Sequence, residues 1–298
     1  MRTPRLPMTL AASTAMALLA ATPSFAESHA MAKKGGELTV AIETDVRGFG
    51  TIKGGVLGQT GEIVMRTIQE PLLDWDPETN EPQPLLATEW SHNDDQTVWT
   101  FKLREGVKFH DGADFTAEDV VFSLDRARSE GSNLKQLHAE VAEVRAVDDY
   151  TVEVQMVGPS PLYPNNVTNT FIMDKTWTEA NDATKVQDYE GGETTFAAAN
   201  TNGTGPFVLE SREPDVKTVL TQNPDYWGMD TFPMEVTEIV YTPIQNAATR
   251  VAAMLSGEVD FLQAAVGLDA GTSGKNGRSL GLQHIHLLAV GLDDRQAG

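Results

Sequence analysis

Apolar and polar positions along the chain change period several times, and each change marks the edge of an element. In Val98–Leu103, Trp99, Phe101 and Leu103 share one face of an extended chain while Thr100 and Lys102 share the other, which predicts a half-buried strand. A second short strand, Val107–Phe109, is expected after Gly106, and His110-Asp111-Gly112 reads as a turn. Thr116 stands three residues before Asp119, the spacing of a capping box, so a helix is predicted to start there and bury Val120, Val121 and Leu124. Nearer the N-terminus, Glu37–Ala41 alternates like a strand, and Ile63, Val64, Thr67 and Ile68 line one side of a helix. Between them Glu43–Gly61 is glycine-rich and broken in pattern, a long loop of the kind where ligands are often met.

Farther on, Tyr150–Met156 predicts a strand with Val152, Val154 and Met156 pointing one way, and Asn181–Thr201 is irregular and acidic. From Phe207 the pattern reads strand (Phe207–Leu209), polar turn (Glu210–Asp215), strand (Thr218–Leu220). Val236–Thr242 predicts a further strand. Ala247–Ser256 predicts a helix with Val251, Met254 and Leu255 inward and Gly257 at its C′ position, and Val259–Phe261 resumes a strand. That order is a strand–helix–strand unit of the α/β kind. From about Gly267 the pattern is lost, and residues 266–298 read as an aberrant or truncated tail.

Length and composition then narrow the class. A chain of 298 residues suits about two domains. With 40% hydrophobic and 22% charged residues the composition is globular. Forty-three acidic residues against 22 basic ones give a formal charge of −21, which repels phosphate backbones and lowers the expectation of nucleic-acid binding. The absence of cysteine excludes disulfides, thiol nucleophiles, thiolate metal sites and a lipid-modified cysteine. At the N-terminus, Arg2 and Arg5 precede the largely apolar Met8–Ala20, and Ser24-Phe25-Ala26 offers small residues for cleavage. Residues 1–26 therefore read as a signal peptide and 27–35 as a linker. An exported protein without cysteine suits a periplasm, held there by no lipid anchor.

A secreted hydrolase is the rival class. Neither a G-x-S-x-G elbow nor an H-E-x-x-H helix is present. Gly274-Lys275 lacks the rest of a phosphate loop, having Asp269 and Asn276 where a glycine and a hydroxyl residue belong. His284 and His286 alternate without a carboxylate to complete a metal shell, so no metal and no cofactor are expected. His110 beside Asp111 has the composition of a general base and its orienting acid, but a turn histidine is the better reading. Trp90, Trp99, Phe101, Phe109, Tyr226 and Trp227 read as core.

The run Ala87-Thr88-Glu89-Trp90, then Trp99–Gly112 and Phe115–Val120, resembles the signature of the family 5 extracytoplasmic solute-binding proteins, the peptide, dipeptide and nickel receptors of ABC importers. Gly203–Phe207, Asn223–Gly228 and Arg250–Asp260 match the family in the same order. The resemblance implies a class II periplasmic-binding-protein clam of mixed α/β lobes. Domain I would comprise residues 36–68 and 203–265, domain II would be inserted as residues 69–202, and the family's C-terminal lobe would be missing from these 298 residues. It also implies a monomer that binds a small peptide between lobes, without catalysis, and docks on membrane permease subunits; nickel chelates, glutathione-like molecules and oligosaccharides are the alternative ligands. By position in the family, ligand contacts fall near Leu57, Gly58 and Gln59, and near Ser132 and Asn133.

Overall fold

The computed structural model describes residues 36–50, 52–53 and 58–263, with side chains over 36–50 and 61–263. Along the chain, β1 (Glu37–Ile42) and β2 (Ile52–Lys53) precede α1 (Gly58–Ile68), and β3 (Leu73–Asp76), β4 (Glu81–Pro84), β5 (Ala87–His92) and β6 (Val98–Leu103) lead to α2 (Ala117–Ala127). There follow β7 (Val141–Asp148), β8 (Thr151–Met156), α3 (Tyr163–Val167), α4 (Lys175–Ala180) and β9 (Gln187–Asp188). The last elements are β10 (Phe207–Glu213), β11 (Lys217–Gln222), β12 (Glu238–Pro243), α5 (Ala247–Ser256) and β13 (Phe261–Leu262).

Two sheets organise two cores. In the first, ordered β10-β11-β12-β1-β13, β1 is parallel to both neighbours, with Val40 opposite Tyr241 on β12 and Phe261 on β13. Leu38, Val40, Ile63, Val64, Ile68, Phe207, Ile239 and Tyr241 bury together between this sheet and α1. The second sheet, β5-β6-β8-β7, is antiparallel throughout. Trp99, Phe101 and Leu103 alternate inward from β6 against Val120 and Leu124 of α2, as the period-2 and capping-box patterns predict.

Several elements differ from the sequence expectation. Val107–Phe109 is no strand: Lys108 makes a single bridge to Asp114, and the turn closed by Gly112 N–H to Phe109 O (2.9 Å) takes up the chain at once. Strand β7 was not anticipated, because it buries only Val141 and Val144 and two register shifts break its alternation. Strand β10 runs on to Glu213 instead of ending at Leu209; a shift between Leu209 and Ser211 disguises its period. Helix α5 has the predicted bounds, with Asn246 accepting from Thr249 N–H (3.0 Å) and Gly257 left-handed at φ +77°, but its inward face is not the predicted one. Arg250 and Ala253 are buried, whereas Met254 and Leu255 are exposed. The Arg250 guanidinium donates to Ile244 O (2.7 Å) and Gln245 O (2.9 Å), which turns that side to the sheet and carries Leu255 about 140° round the helix.

Candidate functional site

Phe171 apart, the residues of the first core lie before Gln69 or after Asn202, and the two crossings of chain at those points lie side by side. Gly205 N–H donates to Ile68 O (2.9 Å). A Cβ on Gly203 would fall 2.1 Å from that oxygen and one on Gly205 2.7 Å from it, so only glycine permits the approach. Thr204, between them, donates its hydroxyl to Glu70 Oε2 (2.8 Å). Trp227 Nε1–H reaches the same oxygen (2.8 Å) and Tyr226 OH donates to Oε1 (2.9 Å). Burial pushes the Glu70 carboxyl up to about 7, against the opposing pull of these three donors and of Arg104, whose guanidinium lies 4.1 Å over the Trp227 ring. Sequence reading passed over Glu70. Its signal is a lone acid between the apolar Val64–Ile68 face and Leu72-Leu73, where a carboxylate is buried only with partners.

His110 fastens the returning crossing from the other side. Its backbone N–H donates to Gly203 O (2.9 Å), its Nε2 contacts Gly205 O (3.0 Å) and its Nδ1 accepts from Gly203 N–H (3.3 Å). A carbonyl only accepts and an amide N–H only donates, so the imidazole is the neutral Nε2–H tautomer. Burial lowers its basicity and favours that form. His110 is thus a structural turn residue here, as read from the sequence.

A hollow of about 20 Å³ opens beside the crossing, lined by Phe49, Gly50, Met65 and Gln69 on one side and by Asn133, Leu134, Phe171 and Met173 on the other. It has room for about one water molecule. Gln69 Nε2 donates to Phe49 O (3.1 Å) and Thr201 Oγ1 (2.6 Å); because the Phe49 carbonyl can only accept, the amide orientation is set. Gln69 Oε1 and Asn133 Oδ1 are both buried without a hydrogen-bond partner. The Arg126 guanidinium lies against Gly50, 3.1 Å from where a Cβ there would stand. Arg126 itself donates to the carbonyls of Ala183, Thr184 and Lys185 (3.0–3.3 Å), and burial lowers it to about 10.

Of the residues predicted to meet ligand, Asn133 lines this hollow. Ser132 beside it is buried and its Oγ accepts from Leu134 N–H (3.1 Å), shaping the loop. Gly58 and Gln59 open α1, about 10 Å along the axis from Met65, so the two predicted segments do not converge there. Leu57 lies outside the described residues, as do residues 1–35 and 264–298 with Gly274-Lys275, His284 and His286. Another candidate wall is the carboxyl end of the parallel strands, where open α/β sheets place ligands. There Glu43 N–H donates to Gln263 Oε1 (2.9 Å), joining the ends of β1 and β13. Among the described residues no group of three or more acids and histidines is placed to hold a metal, and no helix is long and apolar enough to cross a membrane.

Two sheets, each with its own core, make a mixed α/β fold shared with the periplasmic binding proteins. The profile of the bacterial extracellular solute-binding proteins, family 5 (middle region), matches residues 81–279, and the chain belongs to that family. It is similar to the glutathione-binding protein of Shigella flexneri (30% identity over 181 residues, 59% of this chain and 33% of that protein). It is also similar to the dipeptide-binding protein of Escherichia coli K12 (29% over 208 residues, 62% and 36%). Among solved structures, the periplasmic binding protein DppA of Helicobacter pylori in complex with peptide STSA superimposes with a TM-score of 0.63 at 26% identity, covering 76% of this chain and 46% of that one. The chain thus spans less than half the length of these relatives.

Proposed function

We propose that this chain is the N-terminal part of a periplasmic substrate-binding component of an ABC importer, exported by residues 1–26 and binding peptide between lobes for delivery to a membrane permease. Domain I then comprises residues 36–68 and 203–265 and domain II residues 69–202, with Gly58, Gln59, Ser132 and Asn133 on the ligand side. The protein acts as a monomer and needs no cofactor. The observation that supports this reading is the adjacency of Ile68–Glu70 and Gly203–Pro206 between the two cores, which suits a domain II inserted into domain I. The names of the relatives support peptides as the ligand class.

Mass spectrometry of ligand carried through purification of the full-length gene product tests this, with calorimetry against a pool of dipeptides and tripeptides. Peptide in the purified protein and micromolar binding are expected. A protein that ignores the whole pool, or that cleaves it, overturns the proposal.

A further inference from the structure

Asn202 precedes Gly203, the pairing that leaves a backbone nitrogen least hindered for attack on the preceding side-chain amide, since glycine has no Cβ. Each participant in that attack meets a matching group. The attacking nitrogen, Gly203 N–H, donates to His110 Nδ1 (3.3 Å). The electrophile's oxygen, Asn202 Oδ1, accepts from Asp111 N–H (3.2 Å). The leaving nitrogen, Asn202 Nδ2, donates to Asp174 Oδ2 (3.0 Å). We propose that Asn202–Gly203 is a self-modifying site, at which His110, Asp111 and Asp174 promote closure of a succinimide and conversion of residue 202 to aspartate and isoaspartate.

The step balances as follows in the groups present. The Gly203 N–H proton passes to His110 Nδ1 while the nitrogen's electron pair forms the new bond to Asn202 Cγ. Charge collects on Oδ1, which the Asp111 N–H holds as an oxyanion donor. Collapse of that intermediate breaks Cγ–Nδ2; the nitrogen, its N–H held by Asp174 Oδ2, takes from the imidazolium the proton that left Gly203 and departs as ammonia. His110 is then neutral again, and water opens the succinimide at either carbonyl. No oxidant or reductant enters.

The surroundings suit both roles. Burial favours neutral imidazole at His110, leaving Nδ1 free to take a proton. Asp174 accepts from Asn202 Nδ2–H with Oδ2 (3.0 Å) and from Trp177 N–H with Oδ1 (2.8 Å), which holds the leaving nitrogen in place. The charged groups around the site are Asp111 on the turn, Asp174 at the head of α4 and Asp119 of α2 behind it; across the crossing stands Glu70, held by Thr204. The product places a new carboxylate against Asp174 and removes the Nδ2–H bond to it, so modification loosens the returning crossing.

The test uses the second Asn-Gly pair of the chain, Asn276–Gly277, as an internal comparison. The folded 298-residue protein and the same protein in urea are aged across a pH series, and isoaspartate is quantified at both positions by peptide mapping. At position 202 the folded rate is expected to exceed the unfolded rate roughly tenfold or more, and to level off above the histidine titration instead of following hydroxide. His110→Gln removes the enhancement. A folded rate at position 202 equal to or below the unfolded one overturns the proposal, and that comparison stands even where the His110 variant fails to fold.

Discussion

Thr204 Oγ1 and Glu70 Oε2 sit 2.8 Å apart although 134 residues separate them in sequence, and that contact binds the outgoing crossing to the returning one. Tyr226 and Trp227 complete the cage, so one carboxylate holds together three segments of chain. Glu70→Leu strands three buried donors and is expected to cost about 3–5 kcal/mol, while Glu70→Gln keeps an acceptor oxygen and costs about 1 kcal/mol. Urea unfolding of the two variants measures the difference. A leucine variant as stable as the glutamine variant removes the cage from the account of this joint.

Glu70 and His138 give the protein two opposed pH dependences. The carboxyl of Glu70 titrates at its ordinary 4.5 when unfolded and at about 7 when folded, so its contribution is full below pH 4.5 and is lost as pH rises through 7. His138, buried against Thr170 Oγ1 (2.7 Å), titrates at 6.5 unfolded and about 4 folded; its contribution is full above pH 6.5 and is lost as pH falls toward 4. Each amounts to about 3 kcal/mol. The two slopes nearly cancel between pH 4.5 and 6.5. Relative to the parent protein, stability across that window is therefore expected to fall with acid for Glu70→Gln and to fall with base for His138→Gln in chemical denaturation. Parallel curves for all three proteins contradict the assignment.

Gly205→Ala forces a methyl group to 2.7 Å from the Ile68 backbone, which has no rotamer to yield, and is expected to destabilise by more than about 3 kcal/mol. Gly106→Ala meets open space at φ +76° and costs only the left-handed conformation, about 1 kcal/mol. Thermal melts rank the two. Equal losses show that the crossing tolerates separation.

Arg212 and Asp45 form a buried ion pair at 2.9 Å, in which the guanidinium also donates to Ala198 O and Val46 O. Arg212→Met leaves the carboxylate unpaired and is expected to cost about 3–5 kcal/mol; adding Asp45→Asn restores part of that. A double-mutant cycle reads the coupling directly. Strict additivity means that the two groups do not act as a pair.

Local pattern determined the elements that one face of the chain can specify. Trp99, Phe101 and Leu103 dictate β6 because a strand's period of two leaves only one side to bury, and Thr116 with Asp119 dictates the start of α2 because the cap closes within four residues. Tertiary structure decided what depends on partners far away in sequence. Arg250 turns α5 inward through carbonyls at the end of β12, against the preference of Leu255 for burial. Strand β7 exists because β8 supplies its ladder, and Gln69 meets Asn133 only because α1 and the loop after α2 belong to segments that pack across the crossing. Glycines 203 and 205 are visible in sequence as a motif, but their reason, a backbone oxygen 135 or more residues earlier pressed against them, is a property of the fold alone.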